Sequence, residues 1–184
     1  MRSTRGIATV VTALAGLALL VAGPIMVVKG FQGQSQIRTE LSAQHIVFPA
    51  SEQAGLPKAQ TQYAGQRVTT GPQAKAYSDM VETHVREATG GLSYSQVSSK
   101  WIAGGRTDAK VGTLRQTAFM GESLRGGLMG AYQAWELTWL VIGLGLLVGT
   151  AGIAFFSIAV AARPVRVKVP ASPEALRHHE AVTR

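Results

Sequence analysis

The side chains able to move protons or hold metals are few and scattered. The 184 residues include four His, ten Asp and Glu together, and no Cys. His84 stands among Asp79, Glu82 and Glu87. Asp79 and Glu82 are three apart, as are His84 and Glu87, so on a helix each pair shares a face. Such a group could hold a surface metal or serve as an acid–base pair. It also describes a solvated helix face with local ion pairs, and that plainer reading is preferred. His45 has no partner in the sequence around it, and His178-His179 sit in a charged tail. The lack of Cys excludes thiol catalysis, disulfides and zinc–cysteine sites. No H-E-x-x-H, nucleophile elbow or phosphate loop occurs. Gly143-Leu-Gly145 imitates the start of a dinucleotide loop, but it follows no strand and lies in an apolar run. No catalytic, metal-binding or cofactor-binding residue is therefore assigned. No cofactor is expected, and the chain is expected not to be an enzyme.

The elements around these residues point to lipid. The chain is 46% hydrophobic and 15% charged, against about 25% charged in soluble domains. Residues 7–28 and 137–162 contain no Asp, Glu, Lys, Arg or His. As helices they are about 33 Å and 39 Å long, against a hydrocarbon core of about 30 Å. Both are expected to be transmembrane helices. The first exceeds the usual signal-peptide core, and Ala22-Gly23 runs into Pro24 without a clean cleavage site, so it reads as an uncleaved anchor. Pro24 lacks the N–H of the helical ladder and should bend the helix near its outer end.

Orientation follows from the basic residues. Arg2, Arg5, Arg163, Arg166, Lys168 and Arg177 flank the two runs on their terminal sides; Lys29, Arg38 and Arg125 lie on the loop side. The excess places both termini in the cytoplasm. The net charge of +8 reads as contact with anionic headgroups, and no nucleic-acid motif is visible. The expected organisation is a cytoplasmic tail over 1–6, a first span over 7–28, an extracytoplasmic helical domain over 29–136, a second span over 137–162 and a disordered cytoplasmic tail over 163–184. The expected fold class is thus an all-α membrane protein: two antiparallel transmembrane helices with a small, mostly helical extracytoplasmic domain, located in the plasma membrane as a multi-pass protein.

Within the outer segment, Ile37 and Leu41 share a helical face, so the first helix should continue outward. Ile46-Val47-Phe48 before Pro49 reads as extended, and 50–72 as a loop. A helix is expected over 73–89, with Tyr77, Val81, Val85 and Ala88 as its inner stripe and Gly90-Gly91 as its stop. A short helix should cover 95–103, with Val97 and Trp101 on one side. Asp108 should cap a last helix whose stripe Val111, Leu114, Ala118, Leu128, Ala131 and Trp135 leads into the second span, although Gly121, Gly126, Gly127 and Gly130 weaken it. Few large apolar residues serve this segment, so it should lean on the spans or on a partner. A helical turn over 174–180 is the only order expected in the C-terminal tail.

Three groups of residues carry placement rather than chemistry. Gly145 and Gly149 form a G-x-x-x-G that Gly143 and Gly152 extend, and Ala8, Thr12 and Gly16 form a second small-residue row. These rows suit close helix–helix approach, between the two spans or with another subunit. Tyr132, Trp135 and Trp139 match an interfacial aromatic belt. Arg2, Arg5, Arg163, Arg166 and Lys168 set topology.

One family resemblance adds to this. Leu41 with His45-Ile46-Val47-Phe48-Pro49, Gly71-Pro72-Gln73-Ala74 leading to Tyr77, Val81 and His84, Ala88-Thr89-Gly90-Gly91 before Tyr94, and Arg115 with Ser123-Leu124-Arg125 carry it. Over roughly residues 5–160 the chain resembles small actinobacterial two-helix membrane proteins that are labelled aromatic ring-opening dioxygenase alpha-chain-like. The resemblance implies a shared membrane topology and no established activity. The dioxygenase label would require an iron site of His and carboxylate ligands, and only His45 and His84 lie outside the tail. The expected role is a non-enzymatic accessory or scaffold subunit of a membrane or cell-envelope complex. Its expected partners are the bilayer and another membrane protein or a second copy, with no nucleic acid. The alternatives are a metal-dependent enzyme using His84 and its carboxylates, and an extracytoplasmic ligand sensor.

Overall fold

A computed structural model describes residues 2–162. Four α-helices account for most of them: α1 (Arg2–Ala43), α2 (Gly71–Thr89), α3 (Tyr94–Ala103) and α4 (Ala109–Ala161). Two short 3₁₀ turns, Glu52–Ala54 and Lys58–Tyr63, interrupt the stretch expected to be loop. Among the described residues there is no strand, only an isolated antiparallel bridge between Val47 and Arg67. Arg163, Arg166, Lys168 and the turn expected over 174–180 fall outside the described residues.

α1 and α4 are long and apolar enough to cross a membrane. With 42 and 53 residues, they are about 63 Å and 80 Å long at ~1.5 Å per residue. Each is thus far longer than a bilayer core needs. α1 continues as one helix through Pro24; the ring removes the backbone bond to the carbonyl four residues earlier and crowds that carbonyl. α4 likewise continues through Gly121, Gly126, Gly127 and Gly130, because its packing against the other helices outweighs a propensity loss of about 1 kcal/mol per glycine.

The helix starts are set by local chemistry. The Thr70 side chain accepts from the Gln73 backbone N–H, while the Gln73 side chain returns to the Thr70 N–H; Ser93 and Gln96 repeat the arrangement at α3. These reciprocal bonds satisfy donors that a helix start leaves open. Asp108 caps α4 by accepting from the N–H groups of Lys110 and Val111. At the end of α1 the chain turns through His45 with φ of 52°, a left-handed conformation uncommon for a residue with a side chain.

That turn lets 46–48 run back beside 66–68. Phe48 N–H donates to the Gln66 carbonyl and Val68 N–H to the Ile46 carbonyl, both at 2.9 Å. The pairing buries Phe48 and Val68 in a core with Leu41 of α1, Leu56, Ala74 and Met80 of α2, and Leu128 of α4. Phe48 stacks on Tyr63 and meets Tyr77 edge-on, both with centroids 5.1 Å apart. The segment between the two long helices thus supplies most of this core, and Leu41 of α1 and Leu128 of α4 close it. All six members of the α4 stripe from Val111 to Trp135 are buried or half-buried. On α2 the stripe differs at its end. Ala88 is exposed and Thr89 is buried, because Thr89 Oγ1 turns inward to donate to the Leu92 carbonyl at 2.7 Å.

Candidate functional site: the glycine seam and the cap

Along α1 the buried positions Gly16, Gly23 and Gly30 recur every seven residues, and Ile37 follows half-buried. Along α4 two such rows occur: Thr138, Gly145, Gly152 and Ala159, and Leu128, Trp135 and Ile142. A seven-residue repeat keeps one narrow seam in contact when two helices coil left-handedly around each other. The seam is closed by missing side chains. A Cβ on Gly23 would lie 2.7 Å from the Gly145 carbonyl oxygen and from the Gly149 backbone. One on Gly16 would lie 2.6 Å from the Phe156 backbone nitrogen, and one on Gly152 2.7 Å from that of Leu20. Gly30 faces Ile142, and Gly33 faces Thr138. Positions thus rise along α1 as they fall along α4.

The small residues singled out from sequence divide on this seam. Gly16, Gly145 and Gly152 are buried in it, and Gly149 and Thr12 are half-buried. Gly143 and Ala8 are exposed, and a Cβ on Gly143 would meet nothing within 4 Å. Gly23 and Gly30 complete the α1 row, whose spacing is seven rather than four. The α1 row expected from Ala8, Thr12 and Gly16 is displaced because a four-residue spacing drifts around the helix, whereas the contact line follows three and four in alternation.

The aromatic group also divides. Trp139 is 51% exposed. Tyr132 is half-buried and Trp135 is buried. A Cβ on Gly71 would collide with the Trp135 side chain, so the first residue of α2 rests directly on that indole. Trp135 is accordingly packed between α4 and α2. An apolar ring that finds a complementary protein surface is held there by contact area and dispersion.

In the cap between the two long helices, the acidic group around His84 resolves into separate pairs. Lys75 Nζ meets Asp79 at 2.6 Å, and Arg125 bridges Glu82 at 2.6 Å and Glu122 at 2.9 Å. His84 Nε2 lies 2.9 Å from the Gly55 carbonyl oxygen, which ties the first 3₁₀ turn to α2. This contact requires the ring nitrogen to carry its proton and to donate. Among the described residues no group of three or more His, Asp or Glu side chains could hold a metal ion. Arg115 lies over Trp101, its guanidinium carbon 4.2 Å from the ring centroid, joining α4 to α3. Arg2 and Arg5 belong to the first turns of α1.

The seam opens outward into a groove of about 580 Å³ between the upper part of α1 and α4. Ile37, Leu41 and Ile46 form one side of it and Leu124, Leu128 and Ala131 the other. Nothing in the sequence pattern alone marked this groove, because it depends on how far two helices diverge. No family model, curated protein or solved structure matches the chain.

Proposed function

We propose that the chain is a two-pass integral protein of the plasma membrane, built on two antiparallel transmembrane helices with an extracytoplasmic cap, and that it serves as a non-enzymatic accessory or scaffold subunit. The carrying observation is the uncovered apolar surface of α1 and α4. Only 11% and 17% of their most apolar windows are buried within the molecule. Ile7, Leu14, Leu137, Leu140, Leu147 and Ile153 are all 58–65% exposed: a continuous sleeve of this kind is foreign to the surface of soluble monomers. Hydrocarbon covers it without loss, and helices satisfy their own backbone there. The opposed order of contacts along the seam supports the antiparallel arrangement. The basic residues outside the two spans favour cytoplasmic flanks at Arg5 and Arg163.

The accessory role is supported by a small cap whose core is closed by Leu41 and Leu128 of the long helices. The resemblance to two-helix membrane proteins belongs to this same reading. The test starts from a chain that has no Cys. Single Thr61→Cys and Ser172→Cys variants are labelled on intact cells with a membrane-impermeant maleimide. Thr61→Cys should label at once and Ser172→Cys only after permeabilisation. Alkaline carbonate should leave both in the pellet, and mild-detergent capture should bring down a second membrane polypeptide in fixed ratio. Recovery in the aqueous fraction, or labelling of both sites on intact cells, would refute the topology; recovery of the chain alone would refute the accessory role.

A further inference from the structure

We propose that the groove above the seam binds an amphiphile with a slender apolar body and a cationic head, of the alkylammonium class. The volume of about 580 Å³ lies within the range of small-molecule sites, roughly 300–1,000 Å³. Its walls are the apolar side chains of Ile37, Leu41, Leu124 and Leu128, and it is widened where Gly127 and Gly130 have no side chain. A Cβ at either glycine would meet nothing within 4 Å, so these positions hold space open rather than permit a close contact. Groove and seam form one line, since Ile37 and Leu128 continue the seven-residue rows of Gly30 and Trp135.

Charge selects the head. Gln36 and Glu40 are four apart on one face of α1, and with Gln44 of the following turn they line the groove. Among the described residues Glu40 is its only ionisable lining group, and no described Lys or Arg lines it. Among the described residues Glu40 makes no ion pair. An apolar body seated over this carboxylate removes water from it, and an ammonium head compensates that loss. A sulfate or phosphate head would meet repulsion without compensation. The proposal uses the groove and its charge alone, and holds for either orientation of the chain across a bilayer.

The test uses the full chain in zwitterionic nanodiscs, titrated with decyltrimethylammonium, decyl maltoside and decyl sulfate below their micelle concentrations, with empty discs as reference. Saturable heat above the reference is expected for the cation and weaker heat for the maltoside. Glu40→Gln should weaken the cation by roughly fivefold, the order of one partly exposed charge contact, and leave the maltoside unchanged. Gly127→Phe should abolish both. Equal binding of sulfate and ammonium, no heat above empty discs, or an unchanged cation affinity in Glu40→Gln would overturn the proposal. Glu40 is exposed, so the charge comparison remains readable even if Gly127→Phe does not fold. Disulfide-linked dimers of a Gly127→Cys variant would assign the groove to a second copy instead, and a bound polypeptide shielding that Cys from maleimide would assign it to a protein partner. Either result overturns the amphiphile.

Discussion

Gly23 and Gly143 have the same side chain and opposite circumstances. A Cβ at Gly23 would press on backbone atoms of Gly145 and Gly149 at 2.7 Å, while one at Gly143 would enter open space. Backbone cannot rotate aside as a side chain can, so the strain would be relieved only by separating the helices. Gly23→Leu should therefore lower stability by about 3 kcal/mol, the upper part of the usual overpacking range. Gly143→Leu should leave it unchanged. Thermal unfolding of both variants in the same detergent compares them directly, and equal stability would contradict the seam. Phe48 is 2% exposed between Tyr63 and Tyr77. Phe48→Ala should remove about 3–5 kcal/mol, enough to unfold a marginal cap. Loss of near-ultraviolet tyrosine ellipticity with helical ellipticity largely kept would register that local loss. The sequence marked Phe48 as extended through Pro49 but not as a core centre, since both of its ring partners come from other elements.

At the level of helices, the starts are legible in local sequence. Thr70-x-x-Gln73 and Ser93-x-x-Gln96 are both capping-box spacings, and they begin α2 and α3 at Gly71 and Tyr94. Periodicity alone begins these helices one or two residues late: the first turn of α2 buries Gly71 and Ala74, which are too small to register as a stripe. Thr70→Ala should reduce stability by about 1 kcal/mol, measured as a lower denaturation midpoint in urea, with Thr69→Ala as control. The packing of α2 is a separate matter. Gly71 rests on Trp135, so Gly71→Val should push the start of α2 off α4 and raise the solvent exposure of that indole. Red-shifted tryptophan emission and faster acrylamide quenching are expected; unchanged emission would argue against the contact. No local pattern pairs Gly71 with a tryptophan 64 positions later.

Across the molecule, α1 and α4 are joined over a long interval of chain, and their register can be tested by one bond. A Cβ on Gly33 would lie 4.0 Å from the Thr138 Cβ, inside the separation of about 3.5–4.5 Å that a disulfide spans. A chain carrying Gly33→Cys and Thr138→Cys should oxidise to a single intramolecular disulfide. A loop of about a hundred residues closed in this way is worth at most about 5 kcal/mol, so the oxidised form should melt well above the reduced one. Failure to oxidise, or oxidation only between molecules, would contradict the order of contacts along the seam.

The length of the two uncharged runs was open to reading from composition alone, because solubility in hydrocarbon sums over neighbouring residues and needs no knowledge of what they touch. The same holds for the Asp108 cap and the turn at Gly90-Gly91, which are decided within a few bonds. Which glycines face a partner, that Trp135 is covered while Trp139 is exposed, and that a groove opens beside Glu40 were decided only when the helices packed. Those features depend on the rotation and separation of two helices distant in the chain. That geometry minimises the contact energy of the whole seam at once and is written in no single stretch of it.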